Sequence, residues 1–144
     1  MFPALRSAMR QNRLARNRDF GCTTNLRQIG MSLTMYAADY DDQLPDPGRW
    51  MDQLHARGIP DAVMHCPVAA LANPAHFGYA YNKTLGGKKA SILDPLMPTV
   101  FDSTLFGRNA NSKFDSFPIG RHRGGGRTYH NVLHLDGHVQ SISP

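Results

Sequence analysis

No run of apolar residues in this chain of 144 approaches the ~18 that a membrane-crossing helix needs, and no secretory signal peptide is visible. Cysteine is scarce. Cys22 and Cys66 are far apart and in no metal spacing such as C-x-x-C. They read either as one disulfide, if the body lies outside the cytoplasm, or as two separate buried thiols. The single tryptophan, Trp50, reads as a core plug rather than a binding platform. No phosphate loop is present: Thr84–Gly87 (TLGG) has no strand–loop–helix frame and no following G-K-[ST], so it reads as a turn. Acidic residues are nearly missing from the first 27 positions, where Asp19 stands against six arginines. The other 117 residues carry ten basic and ten acidic groups. The net charge of +5 and the pI near 9.6 therefore belong to the N-terminal stretch, not to the body. Arg6, Arg10, Arg13, Arg16 and Arg18 fit anionic lipid head groups or nucleic acid, against the plain alternative of a solvated helix face.

What is present is, first, a helix. Between Gly21 and Tyr40 the apolar residues Leu26, Ile29, Leu33, Tyr36, Ala37 and Tyr40 recur at helical steps and draw one stripe, with Asn25, Arg27, Gln28 and Ser32 on the other side. A strand would put Ile29 and Tyr36 on opposite faces. Leu5–Leu14 is also helix-compatible, with no proline after Pro3. The pattern predicts one helix from about Pro3 to Tyr40, loosened at Gly21 and stopped by Pro45 and Pro47. At 1.5 Å per residue it is about 55 Å long, more than the width of so small a domain, so its first half projects.

Beyond the helix, Asp39, Asp41, Asp42 and Asp46 offer oxygens to a hard cation such as Ca²⁺. They lack the glycine and twelfth-position Glu of an EF-hand, and a solvated helix exit is the expected role. Arg49–Arg57 should be a short helix with Trp50, Met51 and Leu54 inward. Phe77–Asn82 alternates Phe77, Tyr79 and Tyr81 against Gly78 and Ala80, an extended pattern. Thr99–Phe101 should be a short central strand ending at Asp102, and residues 108–118 read as a polar excursion outside the core. Asp136-Gly137 signals a two-residue type I′ hairpin, with Leu135 facing His138 and His134 facing Val139. On that register His138 lies on the face opposite His134, so His122, His130, His134 and His138 do not converge as zinc ligands by spacing. No Ser/His/Asp or Cys/His order shows a sign of activation.

The segment CTTNLRQIGMSLTMYAADYDDQLP carries a resemblance. It resembles the C-x-x-N-L-[RK]-Q-I-G-x-[AS]-L-x-x-Y-x-x-D-x-[DN]-x-x-[FL]-P stretch of a large bacterial family of pseudopilin-like proteins, with Cys22, Asn25, Leu26, Gln28 and Gly30 in place. That family carries a prepilin-type N-terminus and a C-terminal His…Asp-Gly motif, and is similar to type II secretion pseudopilins. Further matches follow in order: MHCP with Cys66 and Pro67, FGYAYN with Tyr81 and Asn82, then SILDP and PTVFD. Finally, RHRGGGRTYHNVLHLDGHV resembles R-H-x-G-G-x-N-V-x-F-x-D-G-H-V, with Arg121, His122, Asp136, Gly137 and His138 on the motif. Thirteen residues separate His122 from Asp136 where the family has nine, an insertion near Gly126–Tyr129. The opening MFPALRSAMR resembles the tail of the family's membrane segment.

The resemblance implies a non-enzymatic structural subunit of a type II secretion or type IV pilus-like envelope assembly. It would pack with other pseudopilin-like subunits through the N-terminal helix. A full-length form would be anchored in the bacterial inner membrane with the globular domain on the periplasmic side, without cofactor or small-molecule substrate. The rival expectation is a nucleic-acid-binding module using the arginine-rich arm, with a metal-dependent enzyme behind it. The expected fold is α+β: a basic helical stem over 1–22 and a globular domain over 23–144, in which the long helix packs on a small antiparallel sheet. Strands are expected near 77–82, 98–102, 131–135 and 138–142. The expected core comprises Leu26, Ile29, Leu33, Tyr36, Trp50, Leu54, Val100, Val132 and Val139.

Overall fold

In the computed structural model, which describes residues 2–143, helix α1 runs unbroken from Pro3 to Asp39. Proline suits this first turn because its missing N–H has no intrahelical partner to lose. The helix ends where Asp41 and Asp42 turn the chain at positive φ, 55° and 65°, a region that Asp tolerates better than most residues. It does not loosen at Gly21. A Cβ there would touch Pro67 at 3.4 Å, so the position is packed against the body. Residues 2–17 are exposed; contact with the body begins around Asp19 and is complete at Cys22, in the last turns of the stem.

The body is α+β. Helices α2 (Trp50–His55) and α3 (Ala69–Ala72) precede six strands: β1 (Tyr79–Asn82), β2 (Pro98–Asp102), β3 (Asn111–Ser112), β4 (His122–Gly124), β5 (Arg127–His134) and β6 (Val139–Ile142). The order is β3-β1-β2-β5-β4, with β6 also paired to β5. Pairing is antiparallel except that β3 runs parallel to β1, so the sheet is mixed rather than wholly antiparallel. The stripe Leu26, Ile29, Leu33 and Tyr36 packs on one face of the sheet with Trp50, Leu54, Tyr79, Tyr81, Val100 and Leu133. Gly30 lets α1 settle there: a Cβ at that position would stand 2.9 Å from Leu133 Cδ1. Val132 belongs to the other face, and Val139 is only half-buried.

That other face corrects the reading of residues 108–118 as a polar excursion. Alternate residues of a strand point to opposite sides, so Ala80, Phe101 and Val132 need a cover of their own. Phe114 and Phe117 supply it, edge-on to Phe101 at 5.2 and 5.4 Å. The same segment braces α2. Asn109 Oδ1 accepts the Met51 N–H at 2.8 Å, and Ala110 O accepts Trp50 Nε1–H at 2.9 Å.

The β5–β6 hairpin differs from a two-residue type I′ turn. Leu133 pairs with Val139, the His134 N–H donates to His138 O at 2.9 Å, and the Gly137 N–H donates to His134 O at 2.9 Å. The loop is therefore Leu135–Gly137, with only Gly137 at positive φ (95°). Three-residue loops close with a left-handed glycine in this way. The neighbouring segment selects it, because Met97 O and Pro95 O accept the Leu135 and Asp136 N–H groups at 2.8 and 2.9 Å. As a consequence His134 and His138 stack, rings 4.3 Å apart and 7° from parallel, instead of lying on opposite faces. Gly137→Val should lower Tm by several degrees, since a β-branched residue at that φ costs about 1–3 kcal/mol. An unchanged melting curve would show that the loop does not depend on left-handed backbone.

Candidate functional site

The chemistry-bearing side chains gather where α1 enters the body. Asp19 and Cys22, three residues apart, share a helix face. Asp102 ends β2, His122 opens β4, and Cys66 follows the turn Asp61–Met64. The β4–β5 turn runs through Gly125 and Gly126 at φ 57° and 76°, and the hairpin carries His122 into the core beside Tyr129, whose ring lies 5.3 Å from it.

His122 is wholly buried between two carboxylates. Its Nδ1 lies 2.6 Å from Asp19 Oδ1 and its Nε2 2.8 Å from Asp102 Oδ2. Ionised carboxylates only accept, so both ring nitrogens donate and the side chain is an imidazolium. Burial opposes that charge. The hydrogen bonds to Asp102 and Asp19, together with the Asp102 charge and the neighbouring Cys66 sulfur, outweigh it and push the pKa up to about 10. Asp102 Oδ2 also accepts the Asn131 N–H at 2.7 Å. Arg121 stands 3.6 Å from Asp102 Oδ1 and is itself fixed by donating to Gly78 O and Ser103 O at 2.6 and 2.7 Å. Two carboxylates and two cations thus close to no net charge. With both N–H groups engaged, the ring has no lone pair to take a proton or bind an ion. It ties α1 to β2.

Beside this cluster the sulfurs of Cys22 and Cys66, both fully buried, face each other at 2.6 Å. Of the two readings, the structure shows buried thiols rather than a bonded pair, and it places them in contact rather than apart. The contact and burial push the Cys22 thiol up, while the hydrogen bond from Cys22 pulls Cys66 down. Among the described residues, Cys22, Cys66 and His122 are the group whose ligand atoms lie close enough to hold a metal, within 4.8 Å of one another. Ligation by His122 would first require a carboxylate to leave its ring.

The remaining motif residues serve the scaffold. Asn25 Nδ2 donates to His65 O at 2.9 Å, Leu26 is in the core, Gln28 is exposed, and Pro67 rests on Gly21. Tyr81 stacks on Trp50 at 5.7 Å; Asn82 donates to Pro98 O at 2.9 Å and accepts the Thr84 N–H at 3.1 Å. Asp136 and His138 bond to each other at the exposed hairpin tip. The four acids of the helix exit serve four separate partners: Asp39 pairs with Arg57, Asp41 with Lys89, and Asp42 accepts from Ser91, while Asp46 accepts the Gly48 N–H. Arg6, Arg10, Arg13 and Arg16 line one exposed groove along α1, and Arg18 the next groove, opposite the Gly124–Gly126 turn. Asp19 and Asp102 are the members of the site that spacing did not reveal, Asp102 standing out only as a strand end. The signal for Asp19 was a lone acid in an arginine-rich stretch.

No helix among the described residues is long and apolar enough to cross a membrane. Comparison with protein-family models, with curated proteins and with solved structures finds no match.

Proposed function

We propose that this chain is a non-enzymatic structural subunit of a pseudopilin-like envelope assembly, with α1 as its stem. The observation that carries this reading is the division of one helix between two environments: residues 2–17 are exposed, while Cys22 onward is built into the core. An unpacked helix end in water is only marginally stable, so a partner that covers it gains order at low cost. Exposed Phe2, Leu5 and Met9 follow at steps of three and four, a short apolar stripe suited to packing against the stem of another subunit. The resemblance of the Cys22–Pro45 and Arg121–Val139 segments supports the same reading. The location that goes with it is the inner membrane, with the body on the periplasmic side.

The grouping of Arg6, Arg10, Arg13 and Arg16 along one groove favours a second reading, a nucleic-acid-binding arm. One truncation separates the two. Deleting residues 1–18 should leave the body folded, with its thermal midpoint within a few degrees, because Asp19 and everything it touches is retained. If α1 is a stem, the truncation abolishes self-association in sedimentation and co-fractionation of an anchored form with the envelope. If it is a nucleic-acid arm, DNA affinity falls instead, and the slope of log K against log salt drops by about 4–5 for five phosphate contacts. Loss of neither property would sink both readings.

A further inference from the structure

We infer that Cys22 and Cys66 form a disulfide that fastens α1 to the segment leading into the sheet. The two residues are 44 apart in sequence, are wholly buried, and present their sulfurs to each other in direct contact. Folding alone brings them into reach.

Two observations favour a sulfur–sulfur bond over a metal ion at this place. The third available ligand, His122, has both ring nitrogens held by Asp19 and Asp102. The charges already balance as well: His122 and Arg121 against the two carboxylates. Two thiolates, a divalent ion and a His122 stripped of its proton would leave one negative charge uncompensated in the core, at a high desolvation cost. A disulfide is neutral and leaves the balance intact. Its position also matters whatever the stem binds. Cys22 is where α1 first becomes fully buried, so a cross-link there stops a pull on the stem from peeling the helix off the sheet.

Formation is thiol–disulfide exchange with a disulfide donor, such as oxidised glutathione or the disulfide of an oxidoreductase. One cysteine thiolate attacks a donor sulfur and releases a donor thiolate. The second then attacks the mixed disulfide and releases the other. Two thiols are oxidised to one disulfide, one donor disulfide is reduced to two thiols, and the protons pass to the released thiolates. Because both sulfurs are buried, the donor reaches them before α1 docks.

The test is refolding of the full chain in a reduced and oxidised glutathione buffer, followed by acid quench, denaturation and maleimide labelling. The expected product is a monomer that takes up no maleimide and is lighter by two hydrogens. Its Tm should stand about 10 °C above that of the same protein in excess reductant. Cys22→Ala and Cys66→Ala should each leave one labelled thiol and a Tm indifferent to reductant. Should either variant fail to fold, labelling of the unaltered chain still decides the matter. Two maleimides per refolded chain, cross-linked dimers, or thiols protected by a stoichiometric zinc ion that chelators remove would each overturn the inference. None of these outcomes depends on whether α1 serves as an assembly stem.

Discussion

His122→Ala is expected to leave the body without a cooperative thermal transition, or with a Tm lower by more than about 10 °C. The substitution removes the one group that joins Asp19 of α1 to Asp102 of β2. Asp102 is wholly buried, so its charge cannot turn to solvent, and Arg121 is already committed to two carbonyls. Breaking a buried ion pair from one side costs about 3–5 kcal/mol, against a total stability of roughly 5–15. The pH dependence supplies a readout that a simple cavity would not. The folded state holds the His122 proton up to about pH 10, whereas the unfolded chain releases it near 6.5. The resulting stabilisation is complete below about pH 6.5 and is lost as pH rises towards 10, a change on the order of 5 kcal/mol. Chemical denaturation across that range should show a falling ΔG for the unaltered chain and a flatter profile for a foldable variant such as His122→Gln. Equal stability at both ends of the range would mean that the imidazolium does not tie the helix to the sheet.

Which parts of this arrangement were legible in the sequence follows from the range of the interactions involved. Helix α1 was legible because its stripe is local: Leu26, Ile29, Leu33 and Tyr36 repeat at the helical period, and all four lie in the core. Strands β1, β2, β5 and β6 were legible for a similar reason, through alternation and turn residues. The hairpin turn was misread because Asp-Gly suits both a two-residue and a three-residue loop. The choice between them is made by the carbonyls of Pro95 and Met97, some forty residues from where local pattern could help. Phe114 and Phe117 were hidden in a polar stretch whose composition says nothing of the exposed side of Phe101 that they cover. The buried site shows the same limit. His122 stood out through its motif and Asp102 as a strand end, but nothing in the spacing says that the start of β4, the end of β2 and a helix turn meet. Likewise the contact of Cys22 with Cys66 spans 44 residues, and only the docking of α1 creates it.

Leu26→Asp should abolish folding, while Met31→Asp on the same helix should shift stability by no more than about 0.5 kcal/mol. The contrast tests whether the stripe is the element on which the body is built. Leu26 has no exposure and sits in the cluster with Trp50, Tyr79 and Leu133; Met31, one and a half turns on, is 67 % exposed. Both replacements carry the same loss of helix propensity and the same charge, so these terms cancel in the comparison. At position 26 two further costs appear. Removing the leucine side chain from a packed core costs about 2–5 kcal/mol, and an unpaired carboxylate in its place adds several more. Their sum reaches the whole stability expected of a single domain. In urea titrations followed by circular dichroism, the Met31 variant should keep the parent midpoint, and the Leu26 variant should show no folded baseline. If the Leu26 variant melted within a few degrees of the parent, α1 would not be the helix that organises the sheet, and the docking of Asp19 and Cys22 onto β2 and β4 would lose its foundation as well.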